Sequence, residues 1–185
     1  AFEVAGVLIY LRLACVGDFL NRESLVVRFI YPIGQTYHCD DSQILSRLMQ
    51  LIQQPGLLLF AGPTGSGKTT SLYYLAEQVM QDKMVVAIED PIEIQQPAFL
   101  QLQVNEAAGL TYAALLKISL RLRPDTLIIG EIRDLQTAQH AVSAALSGHL
   151  VLSTIHARST TGVMDRLLDL GISHTQLTAC LAGVA

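Results

Sequence analysis

Cysteine is scarce in this chain, and the few copies lie far apart. Cys15, Cys39 and Cys180 are odd in number and include no C-x-x-C pair. Closely spaced pairs are what a zinc site or a dithiol redox centre requires, so neither is expected here. We interpret the three residues as ordinary buried or half-buried thiols.

Long apolar runs are also missing, although 51% of the residues are hydrophobic and the mean hydropathy is +0.40. No stretch approaches the roughly 18 to 20 uninterrupted apolar residues that a spanning helix needs, so no transmembrane segment is expected. Buried parallel strands account for the hydropathy instead. The first residues lack the basic, apolar and small-residue pattern of an export signal, which makes the cytoplasm the expected location.

Positive charge is not concentrated anywhere along the chain. There are 12 Lys and Arg against 16 Asp and Glu, a net charge of −4, and the basic residues are spread singly. Direct nucleic-acid binding therefore has no electrostatic support, although a ring of subunits could still gather basic side chains in its pore. The 185 residues suit one globular domain together with a fragment of a second.

One glycine-rich segment carries the strongest chemical signal. It fits G-x-x-x-x-G-K-[ST] and lies between an apolar run at 57–60 and a helix-forming run. In such a loop, backbone N–H groups turn inward around a phosphate, Lys68 supplies charge to the outer phosphates, and the Thr69 hydroxyl can ligate magnesium. The predicted nucleotide-binding residues are Gly62, Pro63, Thr64, Gly65, Ser66, Gly67, Lys68, Thr69 and Thr70.

The chain after residue 56 alternates short apolar strands with helical stretches. Strands are predicted at 57–61, 84–88, 126–129 and 150–153. Helices are predicted at 68–80, 111–121, 134–147, 160–170 and 173–183, the last with a capping box at Ser173 and Gln176. This rhythm predicts an α/β fold in which a mostly parallel sheet is flanked by helices.

The first 56 residues have a different pattern. Residues 7–13 and 24–31 read as strands, and Asp41 or Ser42 can cap a helix that ends before residue 56. We therefore expect three parts: a strand-forming segment at 1–34, a linker at 35–42, and the nucleotide-binding domain at 43–185.

The carboxyl ends of the predicted strands carry polar or acidic residues. Beyond the phosphate loop, these ends are 89–93 (Glu-Asp-Pro-Ile-Glu), 130–131 (Gly-Glu) and 154–156 (Thr-Ile-His). Ligands of a parallel α/β sheet bind at this edge, so the groups are expected to meet around one nucleotide. Asp90, which precedes Pro91, fits a turn or a helix cap as well as a place in the site.

Glu93 and Glu131 are the candidate catalytic carboxylates. Phosphoryl transfer to water needs a magnesium ion, a group that orients the attacking water, and positive charge near the γ-phosphate. Either glutamate alone would fit a solvated strand-end acid, but their joint placement across from Lys68 favours catalysis. Because Gly130 stands where many Walker B segments carry aspartate, Thr69 is expected to hold more of the metal and Glu131 to act through bound water.

Two histidines and two arginines are further candidates. His149 and His156 are seven residues apart and flank a predicted strand, which points them to opposite faces and argues against a shared metal. His156 fits a hydrogen bond to a phosphate or carboxylate as well as a structural role. Arg28 lies in an apolar strand and needs an anionic partner. With Arg12, it either pairs with a carboxylate or approaches the nucleotide phosphates.

Four segments together resemble the secretion ATPases of type II secretion and type IV pili. Residues 62–70, 88–93, 128–134 and 148–156 match that family's Walker A, Asp box, Walker B and His box, in order. Within the family, the residues look closest to the ComGA-type competence ATPases of Gram-positive bacteria. The segments that carry this closer resemblance are 16–19, 22–25, 153–157, 162–163 and 166–168.

The resemblance implies a RecA-like P-loop ATPase core that is truncated at its own C-terminus. It also implies that residues 1–34 are the end of a small α+β, PAS-like N-terminal domain. It also implies ATP and Mg²⁺ as ligands and assembly into a homo-hexamer at the inner face of the cell membrane. The implied partner is a polytopic membrane platform protein, with no direct contact to nucleic acid. ATP hydrolysis would power a competence pseudopilus for DNA uptake.

Residue roles follow from the same resemblance. Lys68 and Thr69 would bind phosphate and magnesium, Glu93 would polarise the attacking water, and Glu131 would support the metal. Lys117 stands where relatives often have arginine, so a bidentate phosphate contact is not expected there. The remaining nucleotide-binding residues implied by the family are Arg12, Arg28, Arg121, His149 and His156.

Two other functions stay open from the sequence. The chain could be a nucleotide-binding scaffold or switch of a secretion assembly that does not hydrolyse ATP. It could also be a nucleic-acid translocase with a related core. ATP binding without turnover would indicate the scaffold, and DNA-stimulated hydrolysis with a steep salt dependence would indicate the translocase.

Overall fold

The structure is a computed structural model that describes residues 2–4, 7–30, 39, 41–79, 83–157 and 159–185. In this part of the chain the strands form two sheets, one of three strands and one of six. None of the helices within these ranges is long and apolar enough to cross a membrane. The α/β fold predicted from the sequence is confirmed.

The smaller sheet is antiparallel and contains β1 (Phe2–Val4), β2 (Val7–Gly17) and β3 (Glu23–Ile30), in that order. The two predicted strands at 7–13 and 24–31 are confirmed, although residue 31 lies outside the described residues. At the turn between β2 and β3, the Asp18 carboxylate accepts hydrogen bonds from the backbone N–H groups of Leu20 and Arg22 at 2.8 and 3.0 Å. The side chain of Arg22 also pairs with Asp18, at 2.7 Å.

A capped helix leads into the larger sheet. The helix α1 (Ser42–Leu51) begins after Asp41, whose side chain accepts hydrogen bonds from the N–H groups of Gln43 and Ile44, so the predicted cap is confirmed. Most of the linker expected at 35–42 lies outside the described residues. The partition into domains therefore stays a prediction.

The larger sheet is entirely parallel and has the order β6-β5-β7-β8-β4-β9. The elements from here to the end of the chain are β4 (Gly56–Ala61), α2 (Lys68–Val79), β5 (Val85–Glu89), β6 (Leu100–Gln103), α3 (Tyr112–Arg121), β7 (Thr126–Glu131), α4 (Leu135–Leu146), β8 (Leu150–Ile155), α5 (Thr160–Asp169), α6 (His174–Cys180) and β9 (Leu181–Val184).

Helices cover both faces of this sheet, which explains why its central strands are apolar throughout. Along β4, Leu57 and Leu59 pack toward α3, α4 and α5, whereas Leu58 and Phe60 pack toward α2. Side chains of a strand alternate between faces, so a strand covered on both sides reads as a continuous apolar run. These are the buried parallel strands that were expected to account for the high mean hydropathy of the chain.

The end of the chain differs from the prediction. The helix expected at 173–183 was predicted too long: it ends at Cys180, and residues 181–184 form β9, which pairs with β4. A Cβ atom on Gly183 would lie 3.0 Å from Leu51 Cδ1, so glycine permits close packing there. A four-residue apolar run fits a strand or a helix equally, and the sheet edge decides between them. The capping box of Ser173 and Gln176 is confirmed.

The edge strand on the other side of the parallel sheet was predicted neither as a strand nor as a helix. Residues 100–103 form β6, a parallel edge strand beside β5. Its sequence Leu-Gln-Leu-Gln alternates apolar and polar side chains, which is the signal of a half-covered strand. The segment is short and follows an irregular loop, so this signal is weak.

Candidate nucleotide-binding site

The glycine-rich loop joins β4 to α2, and its glycines have backbone conformations that other residues rarely adopt. Gly65 and Gly67 have φ angles of +80° and +86°. Gly62 has φ +156°, and a Cβ atom added there would lie 2.6 Å from Ser66 Oγ. The loop therefore depends on glycine at these three positions.

Lys68 is the first residue of α2 and turns back over the loop. Its ammonium donates hydrogen bonds to the carbonyl oxygens of Gly62 and Pro63, both at 2.9 Å. The amino end of the helix lies beside this ammonium, and free N–H groups with a helix dipole favour an anion at that position. The loop, the lysine and the helix end together form a phosphate-binding arrangement.

A cavity of about 550 Å³ opens beside the loop, at the carboxyl ends of β4, β5, β7 and β8. This volume is within the range of small-molecule sites. Most of the residues predicted for the site line it: Arg12, Arg28, Thr64, Gly65, Gly67, Lys68, Thr69, Thr70, Glu93, Glu131 and His156. Gly62, Pro63 and Ser66 complete the loop behind them.

The antiparallel sheet contributes two arginines to the cavity wall. Arg12 and Arg28 are direct cross-strand partners on β2 and β3. Like charges in this position repel each other, so an anion is needed nearby. Part of that charge is supplied by Glu93, whose Oε1 lies 2.9 Å from Arg28 Nη1. This pair is more than 40% exposed on each side, so solvent screening limits its contribution to stability to about 0–1 kcal/mol.

Glu131 is bound on both of its carboxylate oxygens. Arg133 Nε donates to Oε2 at 2.7 Å, and His156 Nε2 lies 3.0 Å from Oε1. The hydrogen bond to Glu131 raises the pKa of Arg133. The glutamate side chain is largely buried, so its two partners hold it in one orientation at the cavity edge.

The absence of an aspartate at residue 130 has a steric reason. A Cβ atom on Gly130 would lie 3.2 Å from Glu89 Cγ and 3.3 Å from the carbonyl oxygen of Ile88. The side chain of Glu89, at the end of β5, therefore occupies the room beside Gly130. Burial raises the pKa of Glu89, which is 3% exposed.

Two predicted residues lie away from the cavity. His149 precedes β8, at the amino end of the strand, where its Nδ1 lies 3.2 Å from the carbonyl oxygen of Ala144. Arg121 is the exposed last residue of α3, about 13 Å along the helix axis from Tyr112, which lines the cavity. Within this chain, neither residue is brought to the nucleotide site.

The cavity also contains polar residues that were not predicted as catalytic or binding residues. Tyr112 lines the wall, and burial followed by the nearby charge of Asp90 raises the pKa of its hydroxyl. Arg133, Glu89 and Thr154 line it as well. Arg133 and Glu89 each stand within five residues of a predicted glutamate, and this proximity is the signal that could have identified them.

The described residues contain no group of three or more His, Cys, Asp or Glu side chains suited to a metal ion. Magnesium in phosphate sites needs fewer protein ligands, because it keeps several waters and binds phosphate oxygens through the substrate. The oxygen donors that line the cavity include the Thr69 hydroxyl and the Glu131 carboxylate. This donor set fits Mg²⁺.

The parallel sheet, the glycine-rich loop and the cavity at the strand ends define a P-loop protein of the α/β class. The sequence matches the family described as Type II/IV secretion system protein over residues 2–185. The chain belongs to this family, which confirms the family predicted from the four sequence motifs.

Individual relatives agree with this assignment. The chain is 52% identical to competence protein ComGA of Streptococcus pneumoniae over 174 residues, which is 94% of this chain and 55% of that protein. It is 41% identical to ComGA of Bacillus subtilis over 184 residues, 96% of this chain and 51% of that protein. The chain thus spans about half the length of these relatives. Its predicted similarity to ComGA-type proteins is confirmed.

A solved structure has the same fold. The pilus retraction motor PilT with bound ADP superposes with a TM-score of 0.69 at 27% identity, covering 94% of this chain and 57% of PilT. This similarity confirms the predicted fold class.

Proposed function

We propose that this chain is the nucleotide-binding core of an ATP-hydrolysing motor in a type II secretion or type IV pilus-like system. The work of the motor is the assembly of a competence pseudopilus for DNA uptake. One observation carries the ATPase assignment: Lys68, Glu93 and Glu131 line a single cavity beside the phosphate loop. The similarity to ComGA proteins supports the competence role.

Each part of the cavity has a task in phosphoryl transfer. The loop N–H groups and Lys68 bind the phosphates, and Glu93 accepts a proton from the attacking water or polarises it. Arg12 and Arg28 offset the negative charge that develops on the γ-phosphate. A triphosphate gives Arg28 a second anion to bind, which frees the Glu93 carboxylate for the water.

The Thr69 hydroxyl and, through bound water, the Glu131 carboxylate would hold Mg²⁺. It neutralises charge on the β- and γ-phosphates when bound. Arg133 and His156 keep the Glu131 carboxylate at the cavity edge, where it can accept hydrogen bonds from metal-bound water. Because Gly130 contributes no carboxylate, Thr69 would be the main protein ligand of the ion.

The assembly and the location follow the family resemblance. We infer a homo-hexamer at the inner face of the cell membrane, bound to a polytopic platform protein and making no direct contact with nucleic acid. Net charge of −4 supports the last point. Light scattering with and without ATP tests the hexamer.

Loss of the loop lysine tests the ATPase assignment. In Lys68→Ala, binding of a fluorescent ATP analogue and magnesium-dependent phosphate release are expected to fall by at least about 100-fold, because the substitution removes the ammonium group that binds the outer phosphates. Lys83→Ala removes an exposed lysine that does not line the cavity and is expected to change neither quantity. Equal activity in the two variants would contradict the proposal, and ATP binding without phosphate release in the unmodified protein would indicate a scaffold.

A further inference from the structure

A buried polar network lies between the phosphate-binding helix and the segment that carries Glu93. Tyr73, on α2, is fully buried, and its hydroxyl donates a short hydrogen bond to the Glu89 carboxylate at the end of β5. The same hydroxyl accepts a hydrogen bond from Gln101 Nε2, on β6, at 2.9 Å. Three elements of the fold thus meet through three polar side chains.

The network is connected directly to the segment between β5 and β6. Gln101 Nε2 donates to the carbonyl oxygen of Ile94 at 2.7 Å, and Gln101 Oε1 accepts from the backbone N–H of Gln96 at 2.8 Å. Both of these contacts end on backbone groups, so Gln101 holds the chain just after Glu93 from the inside of the protein.

Other side chains hold the same segment at its two ends. Gln103 Oε1 accepts from the N–H of Ile92 at 3.3 Å, and Gln96 bonds to Glu77 on α2. The Glu93 side chain, by contrast, is 44% exposed and points into the cavity, where it meets Arg28. Apart from the exposed ion pair with Arg28, the position of this carboxylate depends on the backbone that carries it.

The other end of the network lies on the helix that begins with Lys68. Tyr73 stands five residues after Lys68 on the same helix. The hydroxyl of Tyr73 therefore joins the element that binds phosphate to the segment that carries the proposed water-activating group. Displacements of about 1 Å between such groups can cost about 100-fold in rate.

We propose that Tyr73, Glu89 and Gln101 form a positioning network that fixes Glu93 relative to the phosphate loop, so that ATP turnover depends on the network and ATP affinity does not. The inference deepens the proposed function and rests on it. A role in packing alone makes a different prediction, because a buried hydrogen bond that only stabilises the fold affects binding and turnover together.

Removal of the Tyr73 hydroxyl tests the network. In Tyr73→Phe, amide hydrogen exchange across residues 91–96 is expected to rise about three- to tenfold. The reason is that Gln101, which holds this segment, loses the hydroxyl to which its amide donates. The maximal rate of phosphate release is expected to fall about ten- to 100-fold, with KM and the affinity for a fluorescent ATP analogue within about twofold of the unmodified protein.

Ser119→Ala is the matched control. It also removes a fully buried hydroxyl, one that donates to the carbonyl oxygen of Leu115 at 2.8 Å within α3. It is expected to leave exchange at 91–96 and turnover unchanged. Gln101→Met is a second test of the network: it keeps the side-chain length on an edge strand, and it should reproduce the Tyr73→Phe result even if that variant folds poorly.

The outcomes separate the two proposals. If the unmodified protein releases no phosphate, the proposed function fails, and exchange across 91–96 alone decides whether the network positions the segment. If it does release phosphate, the network is overturned by a turnover number in Tyr73→Phe and Gln101→Met equal to that of the unmodified protein. A parallel loss of affinity and turnover would also overturn it, because that pattern indicates packing.

Discussion

The two sheets of the molecule are both apolar in sequence but differ in how much of that surface is covered. In the parallel sheet, Leu58 on β4 is completely buried. In the antiparallel sheet, Leu13 on β2 is 61% exposed, and its cross-strand partner Val27 is 37% exposed. The difference arises because helices cover both faces of the parallel sheet, whereas the described residues place no helix over β2 and β3.

The two sheets contribute to different properties of the protein, one mainly to stability and the other to the cavity. The parallel sheet supplies the stable core and the phosphate loop at its edge. The antiparallel sheet contributes to the site through one cross-strand pair of charged residues, Arg12 and Arg28. We therefore expect substitutions in the parallel sheet to affect stability, and substitutions of the two arginines to affect catalysis.

The largest expected difference is in the free energy of unfolding. Leu58→Ala leaves a cavity in a closely packed core and is expected to cost about 2–5 kcal/mol. Leu13→Ala, in the exposed sheet, is expected to change stability by about 0.5 kcal/mol or less. Urea unfolding of both variants measures the two values. Similar losses would mean that the two sheets are equally covered, and the comparison would be wrong.

One glycine from each sheet provides a second test of the same comparison. Gly130→Ala on β7 places a Cβ atom against Glu89 and the backbone of Ile88, and this overpacking is expected to cost about 1–3 kcal/mol. A Cβ atom on Gly17, at the end of β2, has no heavy atom within 4 Å, so Gly17→Ala is expected to cost about 0.5 kcal/mol or less. Thermal unfolding distinguishes the two, and a neutral Gly130→Ala would contradict the steric account.

Arg28 connects the two regions, and its removal tests the division of roles. In Arg28→Ala, phosphate release is expected to fall about tenfold while the free energy of unfolding changes by about 1 kcal/mol or less, because an exposed ion pair stabilises little. Arg22→Ala, which breaks the exposed pair with Asp18 in the same sheet, is the control. An equal effect of the two variants on turnover would show that Arg28 acts only through the sheet.

The smallest expected effect is on the titration of Asp18. The backbone and side-chain hydrogen bonds from Arg22 lower the pKa of Asp18 below its ordinary value of 3.8. A carboxyl with a lowered pKa stabilises the folded state above the ordinary value and loses this contribution as the pH falls through the lowered one. NMR titration of the side-chain carboxyl should give a midpoint below 3.8 that rises in Arg22→Ala. No rise would mean that the ion pair is absent in solution.

Much of the fold and part of the site follow from the sequence. The motif fixes the loop at 62–69, and carboxyl ends of parallel strands lie at one edge, so the meeting of Lys68, Glu93 and Glu131 could be predicted. The same rule explains why His149 lies away from the cavity. The residue precedes β8 and is therefore at the amino end of that strand.

The remaining features depend on contacts across the sheet that local patterns do not contain. Tyr73 and Glu89 are 16 residues apart, and Tyr73 and Gln101 are 28 apart. Gln101 meets Tyr73 and Glu89 because β6 lies beside β5, and β6 was not predicted as a strand. Likewise, β9 is a strand because the edge of β4 is available to it, which no property of residues 181–184 specifies.

The proposed role of Glu93 is to activate the attacking water in a cavity that binds ATP. The most direct measurement is single-turnover phosphate release from Mg²⁺–ATP in Glu93→Gln, alongside binding of a fluorescent ATP analogue. We predict affinity within about twofold of the unmodified protein and release slowed by at least about 100-fold, the size of a lost general base. Unchanged release at full affinity would contradict the claim.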